Sequence, residues 1–377
     1  MSAKWFALSL LAIGCGTASG QAPEVSGDAA PACAPSDALW VASDYSSSGV
    51  GALALAGGVT STVGRVDLGA DPALAVSRGR AFYVARDEDL VFELDPVCGT
   101  PTTRFDVHVA AHTGSSDPYD VGVAQDGSLW VPLFDVPAIL VLGPDGSVTR
   151  TIDLSSYDSD GNPDAMGIAI VDTPAGEKAF VPLDRLSGPA LMSEQPSFML
   201  RIDVASGEVE TTIPLEGRNP FSMIGDGSVL WLAEPGNFDD ATELLAGVER
   251  FDTSTSTTAL VAHETDLGGS VSEVAVSAGC GVAIVADATA VNATSLVTFD
   301  TQSGAAIAPA SQSPLPTAGF DLEGLDLVAG AFAVGDRRRA SSGYPVHVFD
   351  ASPACDLTER ADKVFLPLPP VTVRVVQ

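Results

Sequence analysis

A bulky apolar residue, most often aromatic, set in a short β-rich run recurs along this chain at a nearly fixed interval. The instances are Leu39-Trp40-Val41, Ala81-Phe82-Tyr83, Leu129-Trp130-Val131, Ala179-Phe180-Val181, Leu230-Trp231-Leu232, Ala283-Ile284-Val285 and Ala331-Phe332-Ala333, and their centres lie 42, 48, 50, 51, 53 and 48 residues apart. A repeat of this period marks a supersecondary unit that cannot bury its apolar face alone and must stack on its neighbours. Seven near-equal units follow one another from about residue 36 to the last residue.

Each unit reads as a meander of four strands. An alternating strand ends in an apolar-Asp pair, as in Leu94-Asp95, Ile202-Asp203, Phe251-Asp252, Phe299-Asp300 and Phe349-Asp350, with Pro144-Asp145-Gly146 in the third unit. Asp at such a strand end accepts hydrogen bonds from the amides of the turn, and glycine supplies the positive φ that the turn needs. Ahead of the aromatic runs lie apolar stretches rich in small residues, over 73–77, 119–124, 165–171, 221–224, 271–276 and 322–328. In a radial array of sheets the innermost strand is crowded, so small residues fit there while aromatics fill the wider gaps between sheets. The fold class is therefore all-β, a seven-bladed β-propeller of four-stranded antiparallel blades. The pattern resembles the bacterial propellers of the YVTN and NHL type over residues 37–377. That resemblance implies the fold and leaves the activity open, because such propellers host lyases, lactonases, adhesins and scaffolds alike.

The first unit starts directly at its aromatic run, over 37–42, and has no inner strand of its own. After the last unit's outer strand, expected over 363–368, a surplus β-rich segment remains over 371–376. This predicts a ring closed by the C-terminal strand, which completes the first blade and removes the open edges.

The first residues read as a targeting segment outside the fold. Lys4 is followed by an apolar run over 5–13 that is too short to span a bilayer. Leu11-Ala12-Ile13-Gly14-Cys15 resembles a bacterial lipobox, which implies a lipoprotein signal peptide over 1–14 and acylation of Cys15. Gly16 at the next position implies the outer membrane, with the protein periplasmic or at the cell surface; the alternative is a secreted protein cut after Ala18 or Gly20. Residues 15–35, small, polar and rich in Pro and Ala, read as a flexible tether, and 36–377 as a single propeller domain. Lys and Arg number 18 against 49 Asp and Glu, a formal charge of −31, which excludes nucleic acid as a partner and leaves the lipid anchor as the route to a membrane. The partner expected is a protein or polymer.

With Cys15 acylated, Cys33, Cys98, Cys280 and Cys355 remain, an even number with three possible pairings in an oxidising compartment. Cys33 and Cys280 fall just before the second strand of their units, and Cys98 and Cys355 between the third and fourth strands of the units that follow. Pairing neighbouring blades gives Cys33 with Cys98 and Cys280 with Cys355; the alternative is buried free thiols.

Candidate chemistry is sparse. No nucleophile elbow, HExxH, Walker loop or dinucleotide fingerprint occurs, and the four histidines, His108, His112, His263 and His347, are spread over different units. Asp158, Asp160, Asn162 and Asp164 place oxygen side chains at alternate positions, the way a loop wraps a hard cation, and resemble the first half of a calcium loop; a capped Asp/Asn/Gly turn is the alternative. A carboxylate opens the loop after each aromatic run, at Asp44, Asp87, Asp135, Asp184, Glu234, Asp287 and Asp336. Together these predict either a ring of charge at a channel mouth or recurrent turn capping. Glu323-Gly324 looks similar to the Glu-Gly pair on an inner strand of gluconolactonase and phytase-like propellers, which implies a divalent metal on Glu323. Arg337-Arg338-Arg339 is an isolated basic run, a solvated turn or a contact for an acidic partner. The function expected is a non-catalytic binding or scaffold propeller acting through its loop-bearing face, with possible Ca2+. The alternative is a metal-dependent hydrolase or lactonase with an axial metal.

Overall fold

The computed structural model describes residues 36–55, 59–63, 68–225, 228–238, 240, 242–287, 293–361 and 363–376. Seven antiparallel sheets stand in a ring, six of four strands and one of five. Blade 2 shows the plan. Its strands Pro72–Ser77, Arg80–Ala85, Leu90–Leu94 and Pro101–Asp106 run outward in chain order from the axis.

The local chemistry expected of the turns is present. Asp95 accepts hydrogen bonds from the amides of Val97 and Cys98, Asp252 from Ser254 and Thr255, and Asp300 from Gln302 and Ser303. Asp203 and Asp145 do the same for Ser206 and Ser147. At the other hairpin of the unit, Arg78-Gly79, Ala278-Gly279 and Ala329-Gly330 all have positive φ at both positions, as a two-residue turn matched to strand twist requires.

Alternation along the second strand decides which neighbour each residue meets. Leu39 and Val41 pack toward blade 2 with Leu74 and Tyr83, whereas Trp40 and Ala42 pack toward blade 7 with Val346 and Leu366. Because successive side chains point to opposite faces, one strand serves two cores. Seven apolar clusters result, each shared by two adjacent blades, including one between blades 7 and 1. That last cluster depends on the C-terminal strand Pro370–Arg374, which pairs antiparallel with Ala38–Ser43 and sets Val373 opposite Trp40. The ring closes as the sequence implies.

Two details differ from expectation. In blade 3 the inner strand is only Gly122–Val123, with an isolated bridge from Pro118 to Leu133, because the Asp120 carboxylate accepts the amides of Val121 and, in blade 4, Ile168. In blade 7 the outer position holds two short strands, Leu357–Glu359 and Val364–Leu366, both on Tyr344–Ala351; Arg360 between them turns back to pair with Asp350.

Cys280, opening the second strand of blade 6, and Cys355, in the third-to-fourth turn of blade 7, form a disulfide with Cα atoms 5.2 Å apart. Cys98 is also disulfide-bonded. Cys33, its expected partner, lies outside the described residues, as do Cys15, the signal segment and most of the tether. Among the described residues no helix is long and apolar enough to cross a membrane.

Candidate functional site

The inner strands enclose an axial channel of about 2850 Å3. One of its mouths is built from the loops after each second strand and the segments that lead into each inner strand. Those two loop sets are zipped together by backbone hydrogen bonds that recur around the ring: Arg86 N–H to Asp71 O, Phe134 to Asp117, Asp184 to Asp164, Gly236 to Arg218 and Arg337 to Asp321. At three of these junctions the residue entering the inner segment has left-handed φ, Asp117 at 51°, Asp164 at 54° and Asn219 at 56°. Asp and Asn tolerate that conformation better than other side-chain-bearing residues, which explains their recurrence there.

Asp164 therefore has a backbone role that it shares with Asp117 and Asn219, and the 158–164 segment takes its shape from it. Asp164 accepts the Leu186 amide and an Asn162 side-chain N–H, and Asn162 also donates to Phe134 O. Asp160 caps the Asn162 amide. Asp158 accepts from Ser159 and from the Gln195 side chain, and the Arg185 guanidinium lies 3.6 Å from its second oxygen. A cation already stands beside this loop, and it belongs to the protein. Burial pushes Asp164 up to about 7, a sign that Arg185 leaves it largely uncompensated.

Glu323 lines the channel, as its place on the inner strand Leu322–Val328 predicts. Its carboxylate is taken by Arg337, whose guanidinium also bonds the Tyr45 hydroxyl and stacks on that ring at 5.0 Å. Burial pushes Glu323 up to about 7 even so. Gly324 sits at a register shift with φ 79°, where a Cβ would meet the backbone of Thr372 and Val373 at 3.2 Å. The Glu-Gly pair thus marks a close approach of two inner strands. Among the described residues no three His, Cys, Asp or Glu side chains gather so as to hold a metal ion.

Of the basic run only Arg337 reaches the channel, while Arg338 and Arg339 are exposed and engaged by neighbouring side chains. Arg338 pairs with Asp336, which also receives His347, and Arg339 stacks over Tyr344. His347 is packed between Asp336 and Glu359.

Other axial carboxylates staple one blade to the next. Glu273 of blade 6 accepts the amides of Gly324 and Leu325 in blade 7, and Asp326 accepts the Val375 amide beyond the closing strand. Asp120 does this between blades 3 and 4. Arg374 lowers the cost of all three, although burial still holds their carboxyls above the ordinary range.

Of the seven carboxylates expected as a ring, only Asp87, Asp135 and Asp184 line the channel. Asp44 caps Ser46 and Ser47, Asp87 also receives the amides of Ala70 and Asp71, and Asp336 is in the ion pairs above. Glu234 is buried against Glu249, which accepts the amides of Glu216 and Gly217. The ring becomes an arc over blades 2 to 4. Sequence reasoning missed Asn219, Tyr119, Phe134, Phe221 and Phe238, which line the same channel. The aromatic rings pair as Tyr119 with Phe134 and Phe221 with Phe238, at centroid distances of 5.6 and 5.2 Å.

No family model and no curated protein matches the sequence. Similarity lies in structure. The chain is similar to a candidate 6-phosphogluconolactonase from Bacteroides fragilis, TM-score 0.55 and 14% identity over 90% of this chain and 98% of that one. It is equally similar to a protein from Lactobacillus plantarum, TM-score 0.55 and 14% identity over 90% and 99%. A candidate 6-phosphogluconolactonase from Bacteroides uniformis aligns with TM-score 0.51 and 11% identity over 90% and 99%. At these identities the likeness concerns the fold. The chain has the architecture of a seven-bladed β-propeller.

Proposed function

We propose that this protein is an exported, non-catalytic binding propeller that holds a protein or polymer partner at the loop-bearing mouth of its channel. One observation carries the reading. Among the described residues, the large apolar side chains left exposed at loop tips concentrate on that mouth: Tyr45, Leu191, Leu244, Leu245 and Phe320, while Val97, Val148 and Ile307 are scattered singly elsewhere. Clustered exposed apolar groups mark interaction sites, whereas single ones need no explanation. Asp71, Asp87, Asp117, Asp135 and Asp184 line the channel beneath them, and the lining as a whole carries eleven carboxylates against five arginines and one lysine. The Cys280–Cys355 bond fits maturation in an oxidising compartment, which supports export. A lipid anchor at Cys15 in the outer membrane completes this reading, and Cys15→Ser should abolish incorporation of labelled palmitate.

The binding face is tested with a photo-crosslinking amino acid placed at Leu191, at Phe320 or, as a control, at Val148. Adducts in the native host are expected from the first two positions. Equal adducts from all three would refute the reading. The metal-dependent lactonase alternative predicts instead a lactonase activity that Glu323→Gln abolishes.

A further inference from the structure

We propose that the channel wall between blades 4 and 5 is a subsite for a primary ammonium group, received by Asp184 and Asn219. The inference rests on the binding reading above and names the chemistry of the group that enters the mouth.

Asp184 follows the strand Gly176–Leu183 and is 1% exposed. Its backbone is fixed on both sides, the N–H donating to Asp164 O at 3.2 Å and the C=O accepting the Ser197 hydroxyl at 3.1 Å. Its side chain is not: Oδ1 is buried and accepts no hydrogen bond from the described residues. Asn219, in the segment leading into blade 5, is 6% exposed. Its N–H donates to the same Ser197 hydroxyl at 2.9 Å, so one oxygen joins the two residues. The Asn219 side-chain nitrogen is pinned on Gly236 O at 2.8 Å, which fixes the amide orientation and leaves Oδ1 without a donor among the described residues.

Two buried acceptors on adjacent blades thus line the channel, and neither finds a donor among the described residues. A buried acceptor without a partner costs free energy, and native structures carry few of them. The neighbouring cation does not serve them. Arg185 is directed to Pro196 O, the Gln195 side chain and the Phe198 ring. Burial, with Asp164 close by, holds the Asp184 carboxyl well above the usual carboxylate range, and no positive group opposes that shift. A ligand that supplies several N–H donors and a positive charge satisfies both residues together. A primary ammonium has three donors and no acceptor. The adjacent wall suits the same ligand, because Phe221, whose N–H donates to Asn219 O, packs against Phe238 on the channel surface and offers π faces to a cation on an apolar stem. A metal ion is the poorer fit, since one carboxylate and one amide oxygen provide too few ligands.

The test is calorimetric titration of the full chain with hexylammonium, hexanol and hexanoate. Hexylammonium is expected to bind at least tenfold more tightly than hexanol, and hexanoate not to bind. Asp184→Asn should weaken hexylammonium at least tenfold and leave hexanol unchanged, whereas Asp160→Asn, on the exposed part of the neighbouring loop, should change neither. Should Asp184→Asn not fold, Asn219→Gly, which keeps the left-handed backbone and removes the second acceptor, provides the second arm: it should weaken hexylammonium several-fold and leave hexanol unchanged. Nα-acetyl-lysine methylamide separates the sources of the group. Binding of it at the hexylammonium level points to a lysine of a protein partner, and binding of hexylammonium alone to a small amine. Undetectable hexylammonium binding at millimolar concentration, equal binding of amine and alcohol, or an Asp184→Asn protein that keeps the preference would overturn the subsite. Those results would leave the binding face standing if crosslinking from Leu191 and Phe320 succeeds.

Discussion

Replacing Cys280 and Cys355 together by alanine removes a cross-link that joins blades 6 and 7 across 75 residues of chain. The bond acts mainly on the unfolded state, whose conformational freedom it reduces. For a loop of that length the chain-entropy relation gives about 4.5 kcal/mol at 25 °C. The native blades should survive its loss, because twelve buried residues pack the interface of blades 6 and 7 and ten of them are not cysteine. With an unfolding entropy of about 2.1 cal/mol/K per residue over a domain of about 340 residues, this free energy corresponds to a fall in Tm of about 6 °C. The assay is urea denaturation followed by the fluorescence of buried Trp40 and Trp130, beside a thermal scan, with peptide mapping to confirm that Cys98 keeps its bond. Each single alanine variant should lose nearly what the double loses, since either removes the same bond. A loss under about 1 kcal/mol, or single losses that add, would refute the entropic reasoning and show that the cysteines contribute by packing alone.

Val373→Asp places a charge opposite Trp40 at a fully buried position of the closing strand and should cost more than about 4 kcal/mol, read as loss of the cooperative transition and a red-shifted tryptophan spectrum. Arg337→Met strands Glu323 without its cation and should destabilise by up to about 3 kcal/mol; adding Glu323→Gln should restore most of that, and no rescue would show the pair to be incidental. Stability should peak near pH 4 to 5. Burial raises the native pKa of Asp164 and Glu323 to about 7 and of Glu264 to about 8, so their contribution is full below the unfolded carboxylate pKa and is lost as pH rises through 7 to 8. Asp203, lowered to about 2 by Lys178, loses its contribution as pH falls below 4 toward 2, and Glu264→Gln should flatten the alkaline side of the profile. Calcium should raise the Tm of wild type and Asp160→Ala equally, because Arg185 already stands beside Asp158; a rise confined to wild type would establish a calcium site in the loop.

The repeat period, the apolar-Asp strand ends and the surplus C-terminal segment by themselves determine the architecture. Each is a local signal: alternation buries Trp40 and Leu39 on opposite faces, Asp95 caps its own turn, and a missing inner strand at one end of the chain requires a spare one at the other. Cys280 and Cys355 were pairable for the same reason, because their places within the unit locate them in space. The candidate site was legible only in outline. Seven equivalent carboxylates look alike in the sequence, but in the folded ring Asp87, Asp135 and Asp184 reach the channel, on short and long loops alike, while Asp44 caps its own turn and Glu234 is buried against Glu249. Asp164 and Glu323 carried the strongest motifs, and tertiary structure gave them a left-handed junction and an ion pair with Arg337. Asn219 carried no motif at all. Its meeting with Asp184 on one serine hydroxyl arises where two blades abut, and the strand period that specifies each blade holds no information about which acceptors are left unpaired between them.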